Sequence, residues 1–358
     1  MECAELDQPS RAWCAAELRQ LKKKRLREKD KIARVLTMMR RHPRSASAEK
    51  LGSGHYGEVL LGRSALHGPV AVKVVPHDEA DSSPSQLARE AAVLSAVDGA
   101  PGFPRLHHHG RQTVMGRPSD VLVMELLGPS LEDLIWQSAG GTRFTTPTVL
   151  RLGRELLSTL RELHAAGYVH NDLKPSNVLL GAHGSGREAT LHLVDFGIST
   201  TPGEATPPGE SRGTPLFASA SAHAGRPTLP IDDVESLCYC LAFLATGSLP
   251  WERRPPSRAA ALKRRLLAPT DLDGAASTHS RARPAKMPLA EHLPSAGAAG
   301  AIDALWAHVV MSRRAPGGEV DYEACLDALG EELGAEWDWE RNPNASAAAD
   351  LAGAEIDC

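Results

Sequence analysis

No stretch of this 358-residue chain approaches the roughly 20 consecutive apolar residues that a membrane-crossing helix requires, so a helical membrane protein is excluded. Glu2, Glu5 and Asp7 put acidic residues where a cleavable signal or transit peptide carries none. The six cysteines, Cys3, Cys14, Cys238, Cys240, Cys325 and Cys358, include no Cys-x-x-Cys pair and no regular spacing. Neither a zinc site nor a disulfide framework follows from them, and a reducing compartment is the natural home. An excess of one charge is also missing: 40 Lys and Arg stand against 44 Asp and Glu, a net charge of -4. Bulk charge therefore names no partner. There is no internal repeat. These absences predict a soluble, intracellular protein, cytoplasmic or nuclear or both.

What is present is an ordinary globular composition, 42% hydrophobic and 23% charged. The length exceeds one small core, and cores tend to divide beyond about 250 to 300 residues. Leu18, Leu21, Ile32, Leu36 and Met39 recur at roughly helical spacing until His42-Pro43 stops the pattern, which predicts a basic amphipathic helix within residues 10–41. Lys22, Lys23, Lys24, Arg25, Arg27, Lys29 and Lys31 crowd that segment. The run from Lys22 to Arg27 has two readings, a solvated helix face or a contact for an import receptor or an anionic surface.

From Glu49 the period shortens, and Val59–Leu61 and Val70–Val75, separated by Gly68-Pro69, predict antiparallel strands. Residues 86–97 predict a helix, and Val121–Leu127 a buried strand broken by Gly128-Pro129. Spacings of three and four then predict helices over 147–166, 232–246 and 300–312. The expected organisation is α+β. Residues 1–45 form a basic helical extension, 46–127 a small antiparallel β-rich lobe with one main helix, and 128–335 a larger α-helical lobe. Residues 252–300 are expected to be partly loop or disordered, and 336–358 form a short tail. Strand alternation in His107-His108-His109 puts only His107 and His109 on one face, with no carboxylate or cysteine nearby, so it reads as strand rather than metal site.

Four motifs carry chemistry. Gly52, Gly54 and Gly57, in Leu51–Val59, match GxGxxGxV, whose glycines let a strand-turn-strand approach phosphate oxygens with backbone N–H donors. Alone this is also what a plain glycine hairpin looks like; a strand, not a helix, follows it. Val70-Ala71-Val72-Lys73 places Lys73 opposite its apolar neighbours, where an ammonium can hold α- and β-phosphates, with Glu90 in the next helix as candidate ion-pair partner. Val169–Asn177 supplies a carboxylate, an ammonium and an amide in one short loop. In that loop Asp172 would accept or orient the proton of a substrate hydroxyl, Lys174 would sit near the transferred phosphoryl group, and Asn177 would hold a magnesium ion. Asp195-Phe196-Gly197 follows on the strand Leu191–Val194, with Asp195 as the second magnesium ligand.

In order and spacing these motifs resemble a eukaryotic protein kinase from about residue 49 to about residue 333. Met124–Leu134, Asp232–Leu237 and Gly247-Ser248-Leu249-Pro250-Trp251 resemble the casein kinase 1 family, and Ala218-Ser219-Ala220 resembles its variant end of the activation segment. The resemblance implies the bilobal kinase fold, with ATP and Mg²⁺ as cofactors and proteins bearing Ser or Thr as substrates. Lys174, two positions after Asp172, is a feature of the serine/threonine class. Met124 is implied as gatekeeper, Glu125 and Leu127 as hinge positions, and Val59, Ala71 and Leu179 as the apolar faces around the purine. Leu94, His170 and Phe196 are implied as a spine anchored by Asp233. The rival is a pseudokinase or ATP-binding scaffold, against which Lys73, Glu90, Asp172, Asn177 and Asp195 are all present.

Two departures from the family matter. Asn171 stands where many kinases carry the arginine that pairs with an activation-loop phosphate, which predicts activity independent of phosphorylation at Ser199, Thr200, Thr201, Thr206 and Ser211. Leu216 stands where the family holds an anion with arginine, which predicts weak preference for primed substrates, unless Lys263, Arg264 and Arg265 supply the charge instead.

Overall fold

The structure, a computed structural model, describes residues 50–54, 57–77, 85–114, 116–137, 143–207, 209–267, 296–314, 319–330 and 337–340. The expected basic helix of residues 10–41, with Lys22 to Arg27, lies outside the described residues. The chain divides into two compact units, Met1–Ser83 with Leu106–Leu126 and Pro84–Arg105 with Leu127–Cys358.

In the first unit β1 (Lys50–Gly54), β2 (Gly57–Ser64), β3 (Gly68–Pro76), β4 (Leu106–Val114) and β5 (Arg117–Glu125) form one antiparallel sheet in the order β1-β2-β3-β5-β4. Val70 and Val72 of β3 and Val121 and Val123 of β5 pack into one apolar cluster, with Val74 and Val114 against it. β-branched residues alternating at period two stabilise one buried face, each fully buried side chain contributing roughly 1.5–3 kcal/mol. Alternation then turns Ala71 and Lys73 to the opposite face.

The second unit begins with α1 (Gln86–Ala96), which Ser85 caps by accepting from Ala88 N at 3.2 Å. This is the helix expected over 86–97, yet it groups with the second unit rather than with the strands. Arg89 shows one reason, donating from Nη1 to Ser199 O at 2.7 Å and to Glu204 at 2.9 Å. Gly128-Pro129, expected to end a strand, instead lie within β6 (Leu127–Ser130), which pairs with β7 (Val178–Gly181) and β7 with β8 (Leu191–Leu193).

Helices dominate the rest: α2 (Leu131–Gln137), α3 (Thr146–Ala165), α4 (Ala220–His223), α5 (Pro230–Thr246), α6 (Pro256–Leu267), α7 (Ala296–Arg314) and α8 (Tyr322–Ala328). In α3 the stripe Val149, Leu152, Leu156, Leu160 and Leu163 is buried at spacings of three and four. α5 is buried almost all round, from Ile231 to Ala242, and Gly247 closes it at φ 79° by donating to Phe243 O at 2.7 Å. The stretch 252–300, expected to be partly loop, holds α6 and the start of α7. The expected tail also begins with packed residues: Trp337 is buried with the Arg151 guanidinium 3.8 Å above its ring, and Asp338 accepts from Thr145 N at 2.6 Å. No helix among the described residues is long and apolar enough to cross a membrane.

Candidate active site

In the first unit the register assembles one face. Val59 lies opposite Lys73 across β2 and β3, Lys73 opposite Leu122, and Ala71 opposite Met124, so these side chains share one side of the sheet. Ala71, Lys73 and Met124 are buried, and Val59 and Glu125 are half-buried. Gly54 and Gly57 pair at the β1–β2 turn, with Gly52 opposite Val59. Glu90, buried on α1, belongs to the second unit, as do Leu127 and Leu179, which are half-buried on β6 and β7.

The second unit gathers Asp172, Lys174 and Asn177, and adds a residue that sequence reasoning missed, Thr214. Asp172 Oδ1 accepts from Thr214 N at 2.7 Å and from Thr214 Oγ1 at 2.8 Å, while Lys174 Nζ lies 2.8 Å from Asp172 Oδ2 and 3.0 Å from Thr214 Oγ1. Burial works to raise the Asp172 carboxyl, but the Lys174 charge and the hydrogen bonds from Lys174 and Thr214 outweigh it and hold the group below the usual carboxylate range. Asp172 is therefore anionic near neutral pH and a poor proton acceptor, which suits it to orienting a hydroxyl. Gly213 makes the approach of Thr214 feasible: at φ 77°, an added Cβ would lie 2.3 Å from Asn171 O.

Asn177 Nδ2 donates to Asp172 O at 2.9 Å, leaving its amide oxygen as the atom to offer a cation. Asp195 is stitched alongside, because Val194 N donates to Asn177 O at 3.0 Å and His170 Nε2 lies 3.0 Å from Val194 O. His170 Nδ1 accepts from Asp172 N at 3.1 Å, so the ring proton sits on Nε2 and donates to Val194 O. Two oxygen ligands fit a hard divalent cation that takes its remaining ligands from water and phosphate. Asn171 and Asp195 are the non-glycine residues of positive φ among the described residues, at 70° and 67°. Asn and Asp are the types that tolerate it, at a cost of order 1–3 kcal/mol each.

Asp233 of α5 carries the loop. Its Oδ2 accepts from His170 N at 2.6 Å and from His164 Nε2 at 2.9 Å, and its Oδ1 accepts from Asn171 N at 2.9 Å. Its carboxyl is held low in spite of complete burial, chiefly by the His164 hydrogen bond. The Phe196 ring meets the His170 ring edge-on at 5.1 Å, and Leu94 is buried in the same unit.

Asn171 does more than omit a charge. Its Nδ2 donates to Thr200 Oγ1 at 2.9 Å and to Ile198 O at 3.0 Å, and Thr228 Oγ1 donates to Asn171 Oδ1 at 2.6 Å. The Thr228 proton is thereby spent, so Thr200 donates to Thr228 across 3.4 Å and closes a neutral ring. Alanine at all five hydroxyls named above would remove more than phosphorylation sites. Ser199 and Thr200 are buried, and Thr200 belongs to that ring. The other three hydroxyls, Thr201, Thr206 and Ser211, are not buried. Triple alanine substitution at these three is expected to leave peptide kcat within about tenfold of wild type, about 1.4 kcal/mol. Steady-state kinetics would check it, and a larger loss would mean that a phosphate is required.

Lys263 also departs from expectation. Offered by sequence as replacement charge for substrates, it is fully buried, and its ammonium is spent on backbone carbonyls, whereas Arg264 and Arg265 are exposed.

A family model described as protein kinase domain matches residues 45–304. This chain belongs to the protein kinase family, and ATP and a divalent cation are that family's general requirements. Within it, the resemblance to the casein kinase 1 branch is borne out by a relative. The chain is 37% identical over 227 residues to casein kinase 1-like protein HD16 of Oryza sativa subsp. japonica, a match covering 59% of this chain and 31% of that protein.

Proposed function

We propose that the chain is a casein kinase 1-like protein serine/threonine kinase that transfers the γ-phosphoryl group of ATP to Ser or Thr hydroxyls of protein substrates. The observation that carries this reading is the Asp172–Lys174–Thr214 cluster, with its ammonium 2.8 Å from the carboxylate and its threonine hydroxyl on the same carboxylate. Asp172 orients the incoming hydroxyl, and Lys174 places positive charge where charge develops during transfer. Lys73 aligns phosphates from the face it shares with Val59, Ala71 and Met124, which bound the purine. Asn177 and Asp195 would hold Mg²⁺, which supplies charge neutralisation between phosphates when bound. Positioning supplies most of the remaining rate enhancement.

The test uses the full chain with Mg²⁺ and ATP and peptides identical except for Ser, Thr or Tyr at the acceptor. Transfer to Ser and Thr is expected, with none to Tyr. Because Leu216 offers neither charge nor a side-chain donor, a phosphoserine upstream of the acceptor is expected to raise kcat/KM by less than about tenfold, and Leu216→Arg to increase that ratio. Transfer to Tyr alone, or ATP binding without transfer, would replace this reading with another specificity or with a scaffold.

A further inference from the structure

Resting on the kinase reading, the strap Thr214–Ser219 is the surface beside the acceptor, because Thr214 is bonded to the carboxylate that the hydroxyl must reach. Its conformation is not fixed by regular secondary structure, so its backbone carbonyls need other partners. They find one atom. Lys263 Nζ donates to Pro215 O at 2.9 Å, Leu216 O at 3.0 Å and Ala218 O at 2.7 Å. Three donors meet three acceptors, which uses the full capacity of an ammonium group.

Neighbours complete the clamp. Trp251 Nε1 donates to Leu216 O at 2.8 Å, and His223 Nε2 lies 2.9 Å from Pro215 O. A carbonyl can only accept, so His223 carries its proton on Nε2 and offers Lys263 no acceptor there. The Lys263 ammonium lies 4.7 Å from the Tyr239 ring centroid and 5.1 Å from that of Trp251, so ring faces and carbonyl dipoles solvate it. Burial pushes this ammonium down to about 7 against the pull of Glu235.

The second half of the strap is also held through its side chains. Phe217 is buried against Phe243, edge-on at 5.5 Å, and Ser219 Oγ donates to Asp232 at 2.6 Å. Pro215 is exposed and Thr214 and Leu216 are half-buried; Thr214 is committed to Asp172, so Pro215 and Leu216 are what the strap presents outward, and both are held by their carbonyls. We propose that Lys263 is a positioning residue for the peptide substrate, setting from beneath the path of Pro215 and Leu216 on which the residue beside the phosphoacceptor rests. A buried lysine on α6 thereby acts on specificity without touching the substrate.

The experiment is a comparison of the full-length wild type, Lys263→Met and Trp251→Phe on a Ser peptide that the wild type phosphorylates, with peptide and ATP varied separately. Lys263→Met is expected to raise the peptide KM about tenfold while the KM for ATP changes less than twofold. Trp251→Phe removes one donor to Leu216 O and keeps a ring, and is expected to raise the peptide KM two- to fivefold with the same indifference to ATP. Should circular dichroism show that Lys263→Met does not fold, the Trp251→Phe result decides. A folded Lys263→Met protein with wild-type peptide KM, or equal rises in both KM values, would overturn the assignment. A wild type that phosphorylates no peptide would instead remove the kinase reading beneath it.

Discussion

Asp172→Asn is expected to lower kcat for peptide phosphorylation by at least about a hundredfold, a barrier increase near 2.7 kcal/mol, in a protein that remains folded. The amide keeps the size of the carboxyl and an oxygen able to accept from Thr214, whose N and Oγ1 both bond Asp172 Oδ1. What is lost is the anion. With the oxygen turned to Thr214, the new NH₂ group faces Lys174 Nζ, 2.8 Å away in the wild type, where two donors repel. The hydroxyl loses its acceptor and Lys174 loses its anchor together. Since Lys174 and Thr214 hold the Asp172 carboxyl low, the wild type should show no acid limb from this group at mildly acidic pH. Its stabilising contribution is present above the unfolded carboxylate value and is lost only as pH falls through the lower folded value. Radiolabel transfer to a Ser peptide, with circular dichroism beside it, checks both parts. Wild-type turnover by a folded Asp172→Asn protein would remove Asp172 from its role.

Much of the site was legible because its residues are close in sequence. Asp172, Lys174 and Asn177 fall within one loop, and the alternation of Val70–Lys73 fixes a face without knowledge of the partner strands. α3 announced itself through a single apolar stripe, and α5 through its apolar content, though burial on all sides leaves it little period to read. What could not be read were the contacts across chain reversal that no motif marks. Thr214 is 42 residues from Asp172, and Lys263 is 45 from Ala218. Composition around Lys263, Arg264 and Arg265 looks like a solvated basic face, and it is one for the two arginines. Helical geometry puts only the lysine inward. α6 itself was obscured by Pro255-Pro256, which as a pair suggests a loop while Pro256 serves as the first residue of the helix. Gly213 could have signalled a close backbone approach, since it precedes the threonine that binds the carboxylate.

Arg313→Met is expected to destabilise the protein by about 3–5 kcal/mol near neutral pH, the usual cost of leaving a buried charge without its partner. No sequence motif marks this arginine, yet its Nη2 lies 2.6 Å from Asp232 Oδ1 and also pairs with Glu235. Both carboxylates are buried on α5, the helix whose Asp233 carries the Asp172 loop. They also hold the end of the strap and the residue after it: Asp232 accepts from Ser219 Oγ at 2.6 Å, and Glu235 Oε1 accepts from Ala220 N and, within α5, from Tyr239 Oη, each at 2.8 Å. Methionine fills much of the stem's volume but brings no charge, so the loss is electrostatic rather than a cavity. The pH dependence separates these causes. Burial already raises the Glu235 carboxyl against the pull of Arg313, and removing the arginine raises it further. A folded-state value above the unfolded one means that the native state binds the extra proton, so stability from this group is greatest at low pH and is lost as pH rises through the folded value. The destabilisation of Arg313→Met should therefore shrink between pH 7.5 and pH 5, as a proton on Glu235 takes over part of the arginine's neutralising role. Urea denaturation of both proteins at the two pH values measures it. A deficit that stays constant across that range would assign the arginine's contribution to packing and remove the buried ion pairs as its source.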